Sequence, residues 1–150
     1  MHADHAIDPG RVMDWGRTSA DYAAYRPGPP DSLFARLATF GVGLSGQRIL
    51  DLGTGTGVMA CGFALRGARA TGCDIAANQI AEARRFAERD GLDATFVVAP
   101  AEALPLPAQS FDAATANQCW LYFDGPRVLA ELGRVLVPGG LLAVSHFSWL

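Results

Sequence analysis

A short apolar run followed at once by alternate glycines is the feature of this sequence that most restricts its fold. The run covers residues 49–52, and glycines stand at positions 53, 55 and 57. Glycine adopts backbone conformations, and allows close approaches, that a Cβ atom would forbid. Residues 58–65 then have helical composition and end before Gly67. The segment predicts a strand, a glycine-rich turn and a helix, with the turn shaped to hold a ligand.

Four further apolar segments predict more strands, and helical patterns separate most of them. These segments cover residues 70–73, 95–98, 111–115 and 141–144, and the turn 138–140 is predicted to precede the last. Their apolar character is nearly continuous, which is typical of a parallel sheet covered by helices on both faces. Right-handed crossovers then give an α/β fold with a doubly wound, mostly parallel sheet.

Composition narrows the function classes. The 150 residues are half hydrophobic and suit one domain, and the net charge of −3 with dispersed arginines disfavours a nucleic-acid partner. All twelve basic residues are arginine, which excludes lysine Schiff-base chemistry. The three cysteines have neither metal-ligand nor disulfide spacing. No segment is apolar over the length of a membrane span, so we expect a cytoplasmic protein. From the cysteine spacing and the charge we also expect no metal and a small-molecule partner.

Asp74 is the second candidate for ligand binding. It ends the second predicted strand about twenty residues after the glycine turn, where a carboxylate suits the ribose hydroxyls of an adenosine-type ligand. A dinucleotide-binding domain is one alternative, but Val58 stands where that fingerprint requires its third glycine. A structural helix cap is the other interpretation of Asp74.

The segment 51–57 resembles motif I of the class I S-adenosylmethionine-dependent methyltransferases, in the type 11, or UbiE-like, branch. Segments 22–27, 101–105, 110–112 and 134–140 resemble further motifs of that family in the same order. The resemblance implies a Rossmann-like sheet of strand order 3-2-1-4-5 that lacks the family's last two strands. It also implies a cover segment at residues 1–30 and a cofactor-binding domain at 31–150.

The resemblance implies methyl transfer from S-adenosylmethionine, with S-adenosylhomocysteine as product, to a small-molecule acceptor. It implies eleven cofactor-binding residues: Asp51, Gly53, Thr54 and Gly55 for the methionine end, Asp74 for the ribose, Ile75, Ala101 and Glu102 for the adenine, and Asn117, Gln118 and Arg26 for the aminoacyl end. Pro100 replaces an acidic residue usual in the family, which shifts adenine recognition toward Glu102.

No catalytic base can be assigned from the residues. His146, after the fifth predicted strand, is a candidate because its ordinary pKa lies near neutrality, but a histidine there is more often structural. The chain ends soon after that strand, so we expect an open sheet edge that pairs with another chain, for example as a homo-oligomer. A nicotinamide-dependent oxidoreductase domain and a non-catalytic cofactor-binding module remain as alternative functions.

Overall fold

A computed structural model describes residues 28–147, which form a five-stranded parallel sheet with helices on both faces. In chain order the elements are α1 (Asp31–Thr39), β1 (Arg48–Leu52), α2 (Val58–Leu65), β2 (Arg69–Asp74), α3 (Ala77–Asp90), β3 (Ala94–Val98), β4 (Phe111–Asn117), a 3-10 turn (Trp120–Tyr122), α4 (Gly125–Val135) and β5 (Leu136–Ser145). The predicted strand, glycine turn and helix at the first motif are confirmed.

The strands lie in the order β3-β2-β1-β4-β5, and all neighbours are parallel. This confirms the predicted order. The direction of winding reverses between β1 and β4, which places the crevice for a ligand at the carboxyl ends of these central strands. β1 is paired on both sides, with Asp51 opposite Gly72 of β2 and opposite Thr115 of β4.

Two apolar clusters hold the helices against the sheet. On one face, α1, α2 and α3 bury side chains such as Phe34, Phe63 and Ile80. On the other face, α4 and the loop after β3 bury Val128 and Leu104. The rings of Phe34 and Phe63 meet edge to face at 5.2 Å, so α1 is fixed beside α2 by aromatic contact.

The segment 138–140, predicted as a turn before the fifth strand, lies inside β5 as an irregularity of the strand. Phe111 pairs with Leu136 and Ala113 pairs with Leu141, so residues 137–140 together lie opposite a single residue of β4. Pro138 has no amide hydrogen for the ladder, and Gly139 has a φ of 79°. The result is a bulge between two paired parts of β5, Leu136 and the segment that begins at Leu141.

Candidate functional site

The glycine loop after β1 lies beside the end of β2. Gly53 and Gly55 have φ values of 59° and 57°, in the left-handed region that favours glycine. Between them, the amide of Thr54 donates a 2.9 Å hydrogen bond to the carbonyl oxygen of Cys73. The loop is therefore attached to β2 through its backbone.

Asp74 connects the two strand ends through its carboxylate. One oxygen, Oδ2, accepts a 3.0 Å hydrogen bond from the amide of Gly55, and the other, Oδ1, accepts a 2.9 Å bond from the amide of Ala76. A carboxylate offers roughly four lone-pair sites, so acceptor capacity remains after these two bonds. Asp74 is half-buried, and it fits a nucleoside whose ribose presents hydroxyl donors.

Asp51 lies inside the protein rather than at the ligand surface. Its side chain is 2% exposed, and its two oxygens each accept a 2.7 Å hydrogen bond, one from the hydroxyl of Thr54 and one from that of Thr115. Burial raises the pKa of Asp51 to about 6, although the two hydroxyl bonds oppose this and nearby Asp74 adds to it. The role of Thr115 could not be predicted from local sequence, because its partner Asp51 is 64 residues away along the chain.

The predicted adenine side begins next to Asp74. The amide of Ala99 donates a 3.0 Å bond to the Asp74 carbonyl oxygen, which brings the following loop to the same edge of the sheet. Ile75 is 70% exposed and offers an apolar side chain at the surface, whereas Ala101 is buried. Glu102 accepts a 2.9 Å bond from the amide of Asp124, so part of its carboxylate already holds the start of α4.

Glu131 and Arg134 of α4 hydrogen-bond to the loop between β3 and β4. A Glu131 oxygen accepts a 2.7 Å bond from the amide of Leu104, and Arg134 donates to the carbonyl oxygens of Leu104 and Leu106 at 2.9 and 2.7 Å. The Arg134 guanidinium, with the Leu104 amide, lowers the pKa of Glu131 to about 2. The roles of Glu131 and Arg134 could not be predicted from the sequence, because their partners lie in a loop some thirty residues earlier and no local pattern links the two segments.

The end of β4 is tied to the end of β5. Ser145 donates a 2.8 Å bond to the side-chain oxygen of Asn117, and the amide of Gln118 donates a 2.9 Å bond to the Ser145 carbonyl oxygen. Gln118 has a φ of 64°, a strained conformation for a non-glycine residue. Cys119 then donates to the Leu52 carbonyl oxygen at 3.2 Å, and burial raises the pKa of its thiol to about 12. A neutral thiol therefore lies beside Gly53.

The remaining predicted residues lie farther out or beyond the described part. His146 follows β5 and is exposed, and Arg26 lies outside the described residues. The 3-10 turn after Cys119 presents Leu121 at 81% and Tyr122 at 67% exposure, which gives an apolar surface on the β4 side of the glycine loop. Within residues 28–147, no cluster of potential metal ligands occurs, and none of the helices is long and apolar enough to cross a membrane.

The model of a family described as methyltransferase domain matches residues 50–144, which is more than half of the chain. A demethylmenaquinone methyltransferase of Thermus thermophilus is 47% identical over 104 residues, covering 67% of this chain and 47% of that protein. A ubiquinone biosynthesis O-methyltransferase of Methylocella silvestris is 39% identical over 106 residues, covering 70% of this chain and 41% of that protein. The chain spans about half the length of the curated relatives it matches.

A solved structure with the same fold belongs to a protein with a different reaction. The crystal structure of the [4+2]-cyclase SpnF superimposes with a TM-score of 0.69 at 35% identity, covering 80% of this chain and 48% of that one. The same fold therefore occurs in proteins of more than one activity.

Proposed function

Because the chain belongs to the S-adenosylmethionine-dependent methyltransferase-domain family, we propose that it binds this cofactor and transfers its methyl group to a small-molecule acceptor. The observation that carries the proposal is the pairing of the Gly55 amide with Asp74 at the carboxyl ends of β1 and β2. This pairing puts a closely approachable backbone and a carboxylate with spare acceptor capacity at one edge of the sheet.

We assign the cofactor contacts as follows. The backbone of Gly53 and Gly55 approaches the methionine end, Asp74 accepts from the ribose hydroxyls, and Ile75 packs on the adenine. Ala101 and Glu102 bound the adenine edge, and Asn117 and Gln118 lie toward the aminoacyl end. Arg26 stays a prediction for the cofactor carboxylate, within a cover segment that we place at residues 1–30.

The cofactor supplies an already activated methyl group, so the chain's own residues have mainly to orient the acceptor and exclude water. We propose an apolar, aromatic-ring acceptor on the surface of Leu121 and Tyr122, since these exposed side chains would favour such a ring over a charged substrate. The quinone-related names of two relatives agree with this class. His146 stays a candidate base.

Calorimetry with S-adenosylhomocysteine, followed by transfer of a labelled methyl group to quinol-type acceptors, tests the proposal. We expect saturable binding of one equivalent and label in the acceptor. A folded chain that gives no heat with S-adenosylhomocysteine but is stabilised by NAD would overturn the proposal in favour of the oxidoreductase alternative.

A second candidate function is cofactor binding without methyl transfer. The likeness to a [4+2]-cyclase supports this candidate, because that protein has the same fold at 35% identity and is named for a reaction other than methyl transfer. Tight binding of S-adenosylhomocysteine with no labelled product, in the presence of acceptors that a full-length relative methylates, would support this candidate.

Assembly and location are also proposals. β5 pairs only with β4 among the described strands, and Leu141 and Val144 are 42% and 49% exposed on it. We propose that this edge joins two copies of the chain, and light scattering that shows a monomer at all concentrations would contradict it. The cytoplasmic location stays a prediction that cell fractionation would test.

A further inference from the structure

We propose that Asp51, Thr54 and Thr115 form an internal brace that holds the glycine loop in its cofactor-binding shape. In this arrangement Asp51 is a positioning residue and does not touch the cofactor. The inference rests on the proposed function, because the brace acts on the loop to which we assign the methionine end of the cofactor.

The brace joins two neighbouring strands and the glycine loop. Asp51 of β1 lies opposite Thr115 of β4 in the register of the sheet, and it accepts the Thr115 hydroxyl bond at 2.7 Å. Thr115 and Asp51 are each 2% exposed. Asp51 already accepts a hydroxyl bond on each oxygen and, unlike Asp74, has almost no exposed surface, so burial makes it unsuited to direct contact with a ligand.

Thr54 is the part of the brace that belongs to the loop. It stands between two glycines of left-handed conformation, yet its side chain is only 6% exposed and points back to Asp51. Flanking glycines allow the backbone many conformations, so an inward anchor at Thr54 restricts the loop to one of them. The same residue is also held through its amide by Cys73.

Gly72 makes room for this anchor. A Cβ atom at Gly72 would lie 2.6 Å from the Thr54 hydroxyl oxygen and 2.7 Å from its methyl carbon. These distances are too short for real contacts, and the short Thr54 side chain has little freedom to move away. Gly72 lies opposite Asp51 on β2, so the absence of its side chain is part of the brace.

The test compares Thr115→Val and Thr54→Val with Thr115→Ser and Thr54→Ser in calorimetry with S-adenosylhomocysteine. The matched control is Thr71→Val, which removes a hydroxyl bond to Thr95 elsewhere on the same sheet. We expect each valine variant to bind about tenfold more weakly, the effect of one lost hydrogen bond to a charged group. The serine variants and the control should bind like the wild type.

Wild-type affinity in the folded valine variants would overturn the brace, as would equal losses in Thr71→Val. Should the valine variants fail to fold, Gly72→Ala takes their place, with Gly133→Ala as its control because a Cβ there meets nothing within 4 Å. We expect at least a tenfold loss for the first and none for the second; equal binding would contradict the brace.

Hydrogen exchange separates this proposal from the function on which it rests. The amides of Gly55 and Gly57 are hydrogen-bonded to Asp74 and to the Thr54 carbonyl oxygen, and we expect them to exchange faster in Thr115→Val than in Thr71→Val. If the wild type does not bind S-adenosylhomocysteine, the proposed function fails while this difference still decides the brace. Identical exchange in both variants would disprove it.

Discussion

The amide of Gly55 donates a 3.0 Å hydrogen bond to Oδ2 of Asp74 and thereby joins the glycine loop to the end of β2. The two residues are 19 positions apart along the chain. Because of this contact, the glycine loop and the Asp74 carboxylate lie together at one edge of the sheet.

We expect Asp74→Ala to weaken binding of S-adenosylhomocysteine by about 2–3 kcal/mol, because it removes a charged acceptor from the ribose and from the Gly55 amide. Asp93→Asn, an exposed site just before β3, is the control and should bind normally. Calorimetry measures both. Unchanged affinity in Asp74→Ala would show that the ribose lies elsewhere.

Asp51 should give the stability an unusual dependence on pH. Its pKa is raised from 3.8 to about 6 on folding, chiefly by burial. The folded state therefore keeps a proton that the unfolded state releases, and the free energy of unfolding falls as pH rises from about 4 to 6. The difference in pKa corresponds to about 3 kcal/mol.

Urea unfolding of the wild type and of Asp51→Asn at several pH values isolates this effect, because the asparagine cannot titrate. The wild type should lose stability relative to the variant as pH rises through that range. Parallel curves for the two proteins would show that burial does not hold the proton on Asp51.

Glu131 should give the free energy of unfolding the opposite dependence on pH. Its pKa is lowered from 4.5 to about 2, first by Arg134 and then by the Leu104 amide. Its contribution is complete above pH 4.5 and is lost as pH falls toward 2. We expect Glu131→Gln to lower the free energy of unfolding at pH 7 by about 1–2 kcal/mol, a value reduced by partial exposure.

Glu82→Gln is the matched control, since Glu82 and Arg85 also form an ion pair three residues apart on a helix. This pair holds no loop backbone, so its loss should change stability by about 0.5 kcal/mol or less. Denaturation at pH 7 and pH 3 tests both variants. Equal effects would show that the Leu104 contact of Glu131 adds nothing.

Two helical glycines should respond oppositely to alanine. Gly62 in α2 lies under Phe34, whose ring a Cβ would overlap, whereas Gly133 in α4 faces open space. We expect Gly62→Ala to destabilise by about 1–3 kcal/mol through overpacking and Gly133→Ala to stabilise by about 0.5–1 kcal/mol through helix propensity. Thermal unfolding measures both. The same sign for both would contradict the packing of α1 on α2.

Much of the fold could be predicted because its signals are local. Residues 49–57 indicate a strand and a glycine turn within one window, and Asp74 was predicted at a strand end from spacing alone. The bulge at 137–140 was missed because proline and glycine resemble a turn in sequence. Only pairing with β4 shows that the chain continues as a strand.

The sequence by itself indicated the α/β class and a ligand crevice at the glycine turn, because apolar patterning and glycine spacing are local signals. The strand order came only from the family resemblance. Only the tertiary structure shows which residues of the segment 51–57 face the interior. Asp51 and Thr54 look like ligand contacts in the sequence, yet both are buried. Asp51 accepts hydroxyl bonds from Thr54 and Thr115, and the absence of a side chain at Gly72 leaves room for Thr54. Hydrogen bonds between distant residues depend on strand register, which no local pattern encodes.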